Sequence, residues 1–151
     1  MRSWEIIMDS VRFTCQPGCI NCCTQKGFVY LSEDDLAKAA KFTRMTKAAF
    51  EEKYVYRTSH ELRFRKPGDG RQCPFLLEHG CSIHPAKPTQ CRAFPYWPEL
   101  LESKATWTSV GKYCPGIGKG PLIQIKTAKR RAQVMRKAYP EMYSSDACGA
   151  D

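Results

Sequence analysis

The segment of residues 13–24, which we call the knuckle, is unusually dense in cysteine. It carries four cysteines within nine positions: Cys15, Cys19, Cys22 and Cys23. A single buried cysteine packs as a small hydrophobic residue, but packing alone does not require four at such close intervals. Pro17 and Gly18 favour a curled backbone that can direct several sulfur atoms toward one region. The knuckle therefore predicts a metal-binding site.

The rest of the chain supplies further cysteines at wide intervals. Four of them complete a set of eight with those of the knuckle: Cys73, Cys81, Cys91 and Cys114. Thiolates from separate loops can gather zinc or the irons of an iron–sulfur cluster, because these soft metals tolerate several sulfur ligands. We predict that all eight are metal ligands. The ninth cysteine, Cys148, lies near the carboxyl terminus and is expected to be a free thiol.

The division of the eight cysteines between metal sites stays open at this point. Neighbouring residues such as Cys22 and Cys23 cannot easily point at one tetrahedral centre, so they would serve two sites or bridge one larger cluster. Two closed zinc sites with four thiolates each would be structural. A four-iron cluster needs four cysteines as well, and it would add electron transfer or redox sensing.

The amino-terminal residues contain no apolar core of a signal peptide, because Glu5 and Asp9 interrupt them. No apolar run approaches the roughly 20 residues that span a bilayer. We therefore expect a cytoplasmic protein with no membrane partner, in which thiols stay reduced and free for metal. The odd number of cysteines also argues against a disulfide scaffold.

The cysteine blocks follow one another in a recognisable order. They read C-x3-C-x2-C-C at 15–23, C-P-F-L at 73–76, C-S-I-H at 81–84, K-P-x-x-C-R-x-F-P at 87–95 and C-P-G at 114–116. This order resembles the YkgJ-like cysteine cluster proteins, whose CxxCxxCC domain is described as zinc- or iron-chelating, over roughly residues 10 to 120. The first spacing is three residues rather than two, and Lys87 and His84 stand where an arginine and a tyrosine are more usual. The resemblance implies a metal site without assigning a reaction.

Residues around the cysteines have predicted supporting roles. His84 follows Cys81 by three positions, so it is either a further ligand or a residue that packs beside the metal. Lys87 and Arg92 flank Cys91 and are expected to hydrogen-bond to sulfur or to offset the negative charge of the thiolates.

The remaining pattern predicts an α+β fold in one domain, residues 1–143, followed by a flexible tail at 144–151. Helices are predicted after Ser32 and Thr46, whose hydroxyl groups suit helix amino termini, and a short helical turn is predicted at 89–94. Strands are predicted at 28–31, 61–66 and 106–113, and a small hairpin at 75–83.

The last predicted helix, residues 121–139, is amphipathic and basic. Its apolar stripe comprises Leu122, Ile125, Ala128, Ala132, Met135 and Tyr139. Lysines and arginines cover its other face and contribute to a net charge of +9. Because no nucleic-acid-binding motif accompanies this charge, we interpret the face as solvated and do not expect a nucleic-acid partner.

Metal binding is the function that these patterns favour. The chain lacks a glycine-rich phosphate loop and a dinucleotide fingerprint, which excludes the nucleotide-dependent classes that need them. One alternative is an iron–sulfur-dependent enzyme or its accessory in redox or protein-modification chemistry, since flagellin lysine methylases contain a similar cysteine domain. Another is a zinc-stabilised interaction module that binds a protein partner through the basic helix. The sequence specifies no oligomeric state.

Overall fold

Helices and short antiparallel strand pairs alternate along the chain in the computed structural model, which describes residues 8–143. The α-helices are α1 Glu33–Phe42, α2 Lys47–Tyr54, α3 Thr89–Ala93, α4 Lys104–Val110 and α5 Ile125–Ala138. The strands are β1 Ser10–Phe13, β2 Val55–Arg57, β3 Leu62–Phe64, β4 Leu76–Leu77, β5 Gly80–Cys81 and β6 Ile117–Gln124. Short 3-10 helices occupy Asn21–Cys23, His84–Ala86 and Pro98–Leu101. The predicted α+β class is confirmed.

The strands form three two-stranded antiparallel sheets: β1 with β6, β2 with β3, and β4 with β5. In the first, Val11 lies opposite Ile123, and the register shifts between Arg12 and Phe13. This sheet brings the start of the knuckle against the segment that follows Cys114. The chain therefore closes on itself next to the cysteines.

The helix starts at Ser32 and Thr46 are confirmed. Ser32 Oγ accepts a hydrogen bond from Asp35 N, and Ser32 N donates one to Asp35 Oδ2, which forms a capping box at the start of α1. Thr46 Oγ1 accepts a hydrogen bond from Ala49 N at the start of α2. These caps satisfy amide groups that have no partner within the helix.

Two larger hydrophobic clusters are built by different elements of the fold. Phe50 stacks in parallel on Phe75 with 5.8 Å between ring centroids, in a cluster built by α1, α2 and β3. Cys73 and Cys81 pack against this first cluster. The second cluster joins β1 to α5 and contains Trp107 of α4.

The predicted strands at 28–31 and 106–113 are wrong. Residues 104–110 form α4, whose amino terminus is capped by Ser103 Oγ accepting from Thr106 N. Trp107 and Val110, three positions apart, are buried on one helical face. In the other segment, only Tyr30 forms an isolated bridge, with Arg63.

The last helix begins at Ile125, four residues after the predicted start at Pro121. The segment before it belongs to β6, because Leu122 and its neighbours pair with β1. Leu122 is 58% exposed and is therefore not part of the buried stripe. The other predicted members from Ala128 onward are buried, namely Ala128, Ala132, Met135 and Tyr139. The predicted tail at 144–151, with Cys148, lies outside the described residues.

Within residues 8–143, no helix combines the length and the apolar composition needed to cross a membrane.

Candidate metal centre

The knuckle is a pair of tight turns. Cys19 N donates a hydrogen bond to Gln16 O over 3.2 Å, and Cys23 N donates one to Ile20 O over 2.8 Å. Between the first two cysteines the backbone needs a φ of +73°, a conformation that Gly18 adopts at little cost. These turns explain how four cysteines fit into nine residues without a regular element longer than Asn21–Cys23.

The predicted hairpin is confirmed, with Cys81 in its second strand and Cys73 shortly before its first. Cys81 lies in β5 directly opposite Leu76 of β4. Leu76 N donates a hydrogen bond to Cys73 O over 3.3 Å, and Ser82 N donates one to Phe75 O over 2.8 Å. The hairpin and the turn before it therefore place Cys73 and Cys81 near each other, and both pack against the first hydrophobic cluster.

Cys91 lies in α3, and a buried carboxylate fixes the start of this short helix. Thr89 N and Thr89 Oγ1 donate hydrogen bonds to Asp35 Oδ1 over 3.0 Å and 2.8 Å. Asp35 is only 1% exposed and belongs to α1. The position of Cys91 is thus set by a helix more than 50 residues earlier in the chain.

Cys114 follows α4, where Cys114 N donates a hydrogen bond to Val110 O over 2.9 Å. Two residues later, Thr14 N donates one to Gly116 O over 3.1 Å. A Cβ atom at Gly116 would overlap the carbonyl oxygen of Thr14, so only glycine permits this approach. Because Thr14 immediately precedes Cys15, the contact brings the first and the last cysteine of the set toward each other.

Seven of the eight predicted ligands line one cavity of about 480 Å³: Cys15, Cys19, Cys22, Cys23, Cys73, Cys81 and Cys91. Its walls also include Phe28, Phe94, Trp97 and Tyr113, together with the polar side chains of His84 and Lys87. The eighth, Cys114, does not line the cavity and is 8% exposed. Burial raises the pKa of Cys114, and negative charge on Cys22 or Cys19 would raise it further.

Burial and neighbouring thiols shift the pKa values of several cysteines. Burial raises the pKa of Cys91 to about 12 and that of Cys73 to about 11. A hydrogen bond from the Cys22 thiol to Cys23 raises the pKa of Cys22 and lowers that of Cys23. Most of these thiols are therefore neutral near pH 7 until a metal displaces their protons.

The cysteines of the knuckle are close enough to the other four to influence their ionisation. Cys23 interacts with three cysteines outside the knuckle: Cys73, Cys81 and Cys91. Cys114 interacts with two of the knuckle, Cys19 and Cys22. Cys22 also interacts with Cys81 and Cys91.

The donor set fits zinc or iron, since it consists of sulfur atoms beside a largely apolar wall. Across residues 8–143, no three Cys, His, Asp or Glu side chains converge on a single point as a finished metal site. Seven of the eight cysteines nevertheless line the same cavity, so the fold brings the cysteine-bearing segments to one region.

Two cations expected near the sulfur atoms differ in position. Lys87 lines the cavity, and its Nζ lies 3.5 Å from Nε2 of the exposed His84. The Lys87 ammonium favours the thiolate forms of Cys22, Cys81 and Cys91. Arg92 instead donates a hydrogen bond to Thr89 Oγ1 over 2.9 Å, so the expectation that it bonds to sulfur is not met.

Sequence reasoning missed the polar side chains that hold the cysteine-bearing segments. These residues are Asn21, Asp35 and Gln90, and each bonds to a residue at least 54 positions away. Their position next to a cysteine, or at a helix start, was visible in the sequence. Their distant partners were not.

A family model matches residues 14–115 of the chain. It is the CxxCxxCC model, described as "Putative zinc- or iron-chelating domain". The match begins just before Cys15 and ends just after Cys114, so it contains the whole set of eight cysteines. No solved structure matches the chain.

Proposed function

Because this chain belongs to the CxxCxxCC family of zinc- or iron-chelating domains, we propose that it holds two metal centres with four cysteines each. The first, called the Cys114 centre, would use Cys15, Cys19, Cys22 and Cys114. The second, called the Cys91 centre, would use Cys23, Cys73, Cys81 and Cys91. This grouping gives the adjacent Cys22 and Cys23 to different centres, which avoids directing neighbouring side chains at one tetrahedral ion.

The backbone contacts around the sheet of β1 and β6 support the Cys114 centre. Thr14 bonds to Gly116 over 3.1 Å, and Asn21 Nδ2 donates to Tyr113 O over 2.8 Å. The knuckle is thus joined on both sides of Cys114. The interaction of Cys114 with Cys19 and Cys22 agrees with this placement.

The hairpin and α3 support the Cys91 centre. Cys81 lies in the hairpin and Cys73 shortly before it, and negative charge on either would raise the pKa of Cys91 beyond the effect of burial. Negative charge on Cys73, Cys81 and Cys91 opposes ionisation of Cys23, which agrees with a position of Cys23 near these three residues. The hydrogen bonds that join the knuckle to both sides of Cys114, from Thr14 N to Gly116 O and from Asn21 Nδ2 to Tyr113 O, are the observation that carries the proposed division.

Four thiolates around zinc form a closed site with no position for substrate. Such a site is structural, since the metal binds only the folded arrangement of ligands and its binding free energy adds to folding. Zinc would therefore stabilise the packing of the knuckle, the hairpin and α3 against one another. His84 is not needed as a ligand in this arrangement.

The cavity favours a second candidate, an iron–sulfur cluster. A volume of about 480 Å³ between cysteines and aromatic side chains exceeds what a single ion fills. A cluster in this place would supply electron transfer, and the apolar wall would restrict access of water to it. An iron–sulfur-dependent redox or protein-modification role would then follow.

Metal analysis of the full chain purified without oxygen decides between the candidates. A colourless protein with about two zinc ions per chain supports the two four-thiolate centres. A brown protein with about four irons and matching sulfide supports the cluster. A metal-free chain with paired disulfides would contradict both.

Serine variants then test the division of the ligands. Cys91→Ser and Cys114→Ser should each remove or weaken one of the two zinc ions and leave the other bound. Cys148→Ser is the matched control and should keep both. Loss of both ions in each ligand variant would indicate one shared cluster instead.

A further inference from the structure

We infer that Asn21 and Gln90 are positioning residues for different metal centres. Gln90 holds the segment that follows the knuckle next to Cys91, and Asn21 holds the knuckle next to Cys114. This inference rests on the proposed function and deepens it. The side-chain amide of Gln90 would serve the Cys91 centre, and that of Asn21 would serve the Cys114 centre.

Gln90 immediately precedes Cys91 and binds the chain that leaves the knuckle. Its Oε1 accepts a hydrogen bond from Tyr30 N over 2.9 Å, and its Nε2 donates one to Phe28 O over 3.0 Å. One side chain thus pairs with the backbone of residues 28–30 on both its donor and its acceptor side. The segment that follows Cys23 is held beside α3 by this pairing.

The backbone of Gln90 is fixed as well. Gln90 N donates a hydrogen bond to Tyr139 Oη over 2.9 Å, and Gln90 O accepts one from Trp97 Nε1 over 2.9 Å. Because the backbone of Gln90 is fixed, its two side-chain hydrogen bonds hold residues 28–30, just after the knuckle, at a defined position relative to α3. A freely moving residue could not do this.

Asn21 makes the corresponding contact on the other side. It lies in the knuckle between Cys19 and Cys22, and its Nδ2 donates to the carbonyl oxygen of Tyr113, the residue before Cys114. The Asn21 carbonyl accepts hydrogen bonds from Thr24 N and Thr24 Oγ1, which fixes Asn21 within the knuckle.

The two amides hold the segments of their centres in place before a metal arrives. A metal that binds four thiolates from separate segments must otherwise order those segments itself, which weakens its binding. Residues that orient metal ligands typically change affinity about 10- to 100-fold when they are replaced. We expect a change in that range for Gln90→Ala, which loses two bonds, and roughly fivefold for Asn21→Ala, which loses one.

The test uses the full chain loaded with ¹¹³Cd, which replaces zinc and gives one resonance for each centre. The Cys91→Ser and Cys114→Ser variants assign the resonances. Chelator competition followed on each resonance should show that Gln90→Ala weakens the Cys91 centre and leaves the Cys114 centre unchanged. Asn21→Ala should do the reverse. Gln133→Ala, which removes an exposed amide on α5, should change neither centre.

Gln90→Glu is the conservative variant, because it keeps the acceptor for Tyr30 N and loses the donor to Phe28 O. Because glutamate has nearly the same volume as glutamine, it should recover only part of the affinity lost in Gln90→Ala, and full recovery would show that the volume of the side chain and not its donor to Phe28 O matters. If Gln90→Ala fails to fold, Gln90→Glu and Asn21→Ala still test the inference.

Two resonances in the unmodified chain would support the proposed function. If each variant then weakened both centres equally, or if neither variant weakened any centre, the inference would be overturned while the proposed function stood. A chain that binds no cadmium, or that shows one shared cluster, would overturn both.

Discussion

Tyr139 Oη donates a hydrogen bond over 2.9 Å to Asp35 Oδ2 in the interior of the protein, across 104 positions of sequence. The same carboxylate accepts hydrogen bonds from Ser32 N at the start of α1 and from Thr89 at the start of α3. One buried aspartate therefore holds α1 and α3 to the residue that follows α5. Cys91 lies two positions after Thr89, so this network determines where that cysteine stands.

We expect Tyr139→Phe to lower the free energy of unfolding by about 1–3 kcal/mol, because Asp35 loses a donor and Gln90 N loses its acceptor. Urea denaturation followed by circular dichroism measures the change. Tyr56→Phe is the control, since Tyr56 is 40% exposed, and it should stay within about 0.5 kcal/mol. Equal effects of the two variants would contradict the importance of the buried hydroxyl group.

Asp35→Asn should lower the free energy of unfolding by at least about 2 kcal/mol, since an amide nitrogen then faces hydrogen-bond donors that the carboxylate accepts. Asp34→Asn changes the neighbouring, exposed residue and should cost no more than about 0.5 kcal/mol. Chemical denaturation of both variants gives the comparison. A stable Asp35→Asn variant would show that the charge is unnecessary at this position.

The ammonium group of Lys87 should strengthen metal binding, because it favours the thiolate forms of three cysteines. We expect Lys87→Gln to lower zinc affinity several-fold, and the difference should shrink as salt screens the charge. Competition with a zinc-binding dye at two salt concentrations measures it. Lys38→Gln, on the exposed face of α1, should leave the affinity unchanged.

The metal-free protein should lose stability as the pH rises above 9. Cys73 and Cys91 have pKa values of about 11 and 12 in the folded chain because of burial, compared with an ordinary value of 9.0. Above pH 9 the unfolded chain loses protons that the folded chain keeps, so the equilibrium shifts toward unfolding. This contribution to stability is fully present below pH 9 and is lost as the pH rises through 11 and 12.

Urea denaturation of the chelator-treated, reduced protein at pH 8 and pH 10 checks this expectation. Cys91→Ser should reduce the pH dependence without abolishing it, because Cys73 keeps its raised pKa. The lowered pKa of Cys23 acts in the opposite direction and makes the total change smaller. Stability that increases between pH 8 and pH 10 would contradict the assigned direction.

Gly116→Ala should disrupt the approach of the knuckle to the segment after Cys114, because a methyl group would overlap Thr14 O. We expect a loss of stability of about 1–3 kcal/mol and weaker binding at the Cys114 centre. Gly68→Ala is the control, since open space surrounds that position. Thermal unfolding and metal titration of both variants distinguish a local steric effect from a general effect of replacing glycine.

Local chemistry was sufficient to predict several parts of this fold. The hydroxyl groups of Ser32 and Thr46 marked two helix starts, and the hairpin that carries Cys81 followed from short apolar runs around a turn. These features depend on residues a few positions apart. Their physical causes can therefore be found in a short window of sequence.

The errors arose where tertiary packing outweighed local preference. The segment at 106–113 contains threonine, tryptophan and valine, which favour strands, yet the Ser103 cap and the burial of Trp107 and Val110 make it helical. Leu122 fits a helical stripe but pairs with β1 instead. The hydrogen bond between Gln90 and Phe28 spans 62 positions, and no local pattern indicates its partner.

The pairing of β1 with β6 has a consequence for how the protein is made. Ser10 lies opposite Gln124, so this sheet cannot form until most of the chain has left the ribosome. On the proposed division of the cysteines, the Cys91 centre has all its ligands once Cys91 has emerged, whereas the Cys114 centre must wait for Cys114. The ligands of the Cys91 centre would thus emerge first, but the hydrogen bonds of Tyr139 to Asp35 and to Gln90 fix that centre only after residue 139 has emerged, so both centres would be completed late in synthesis.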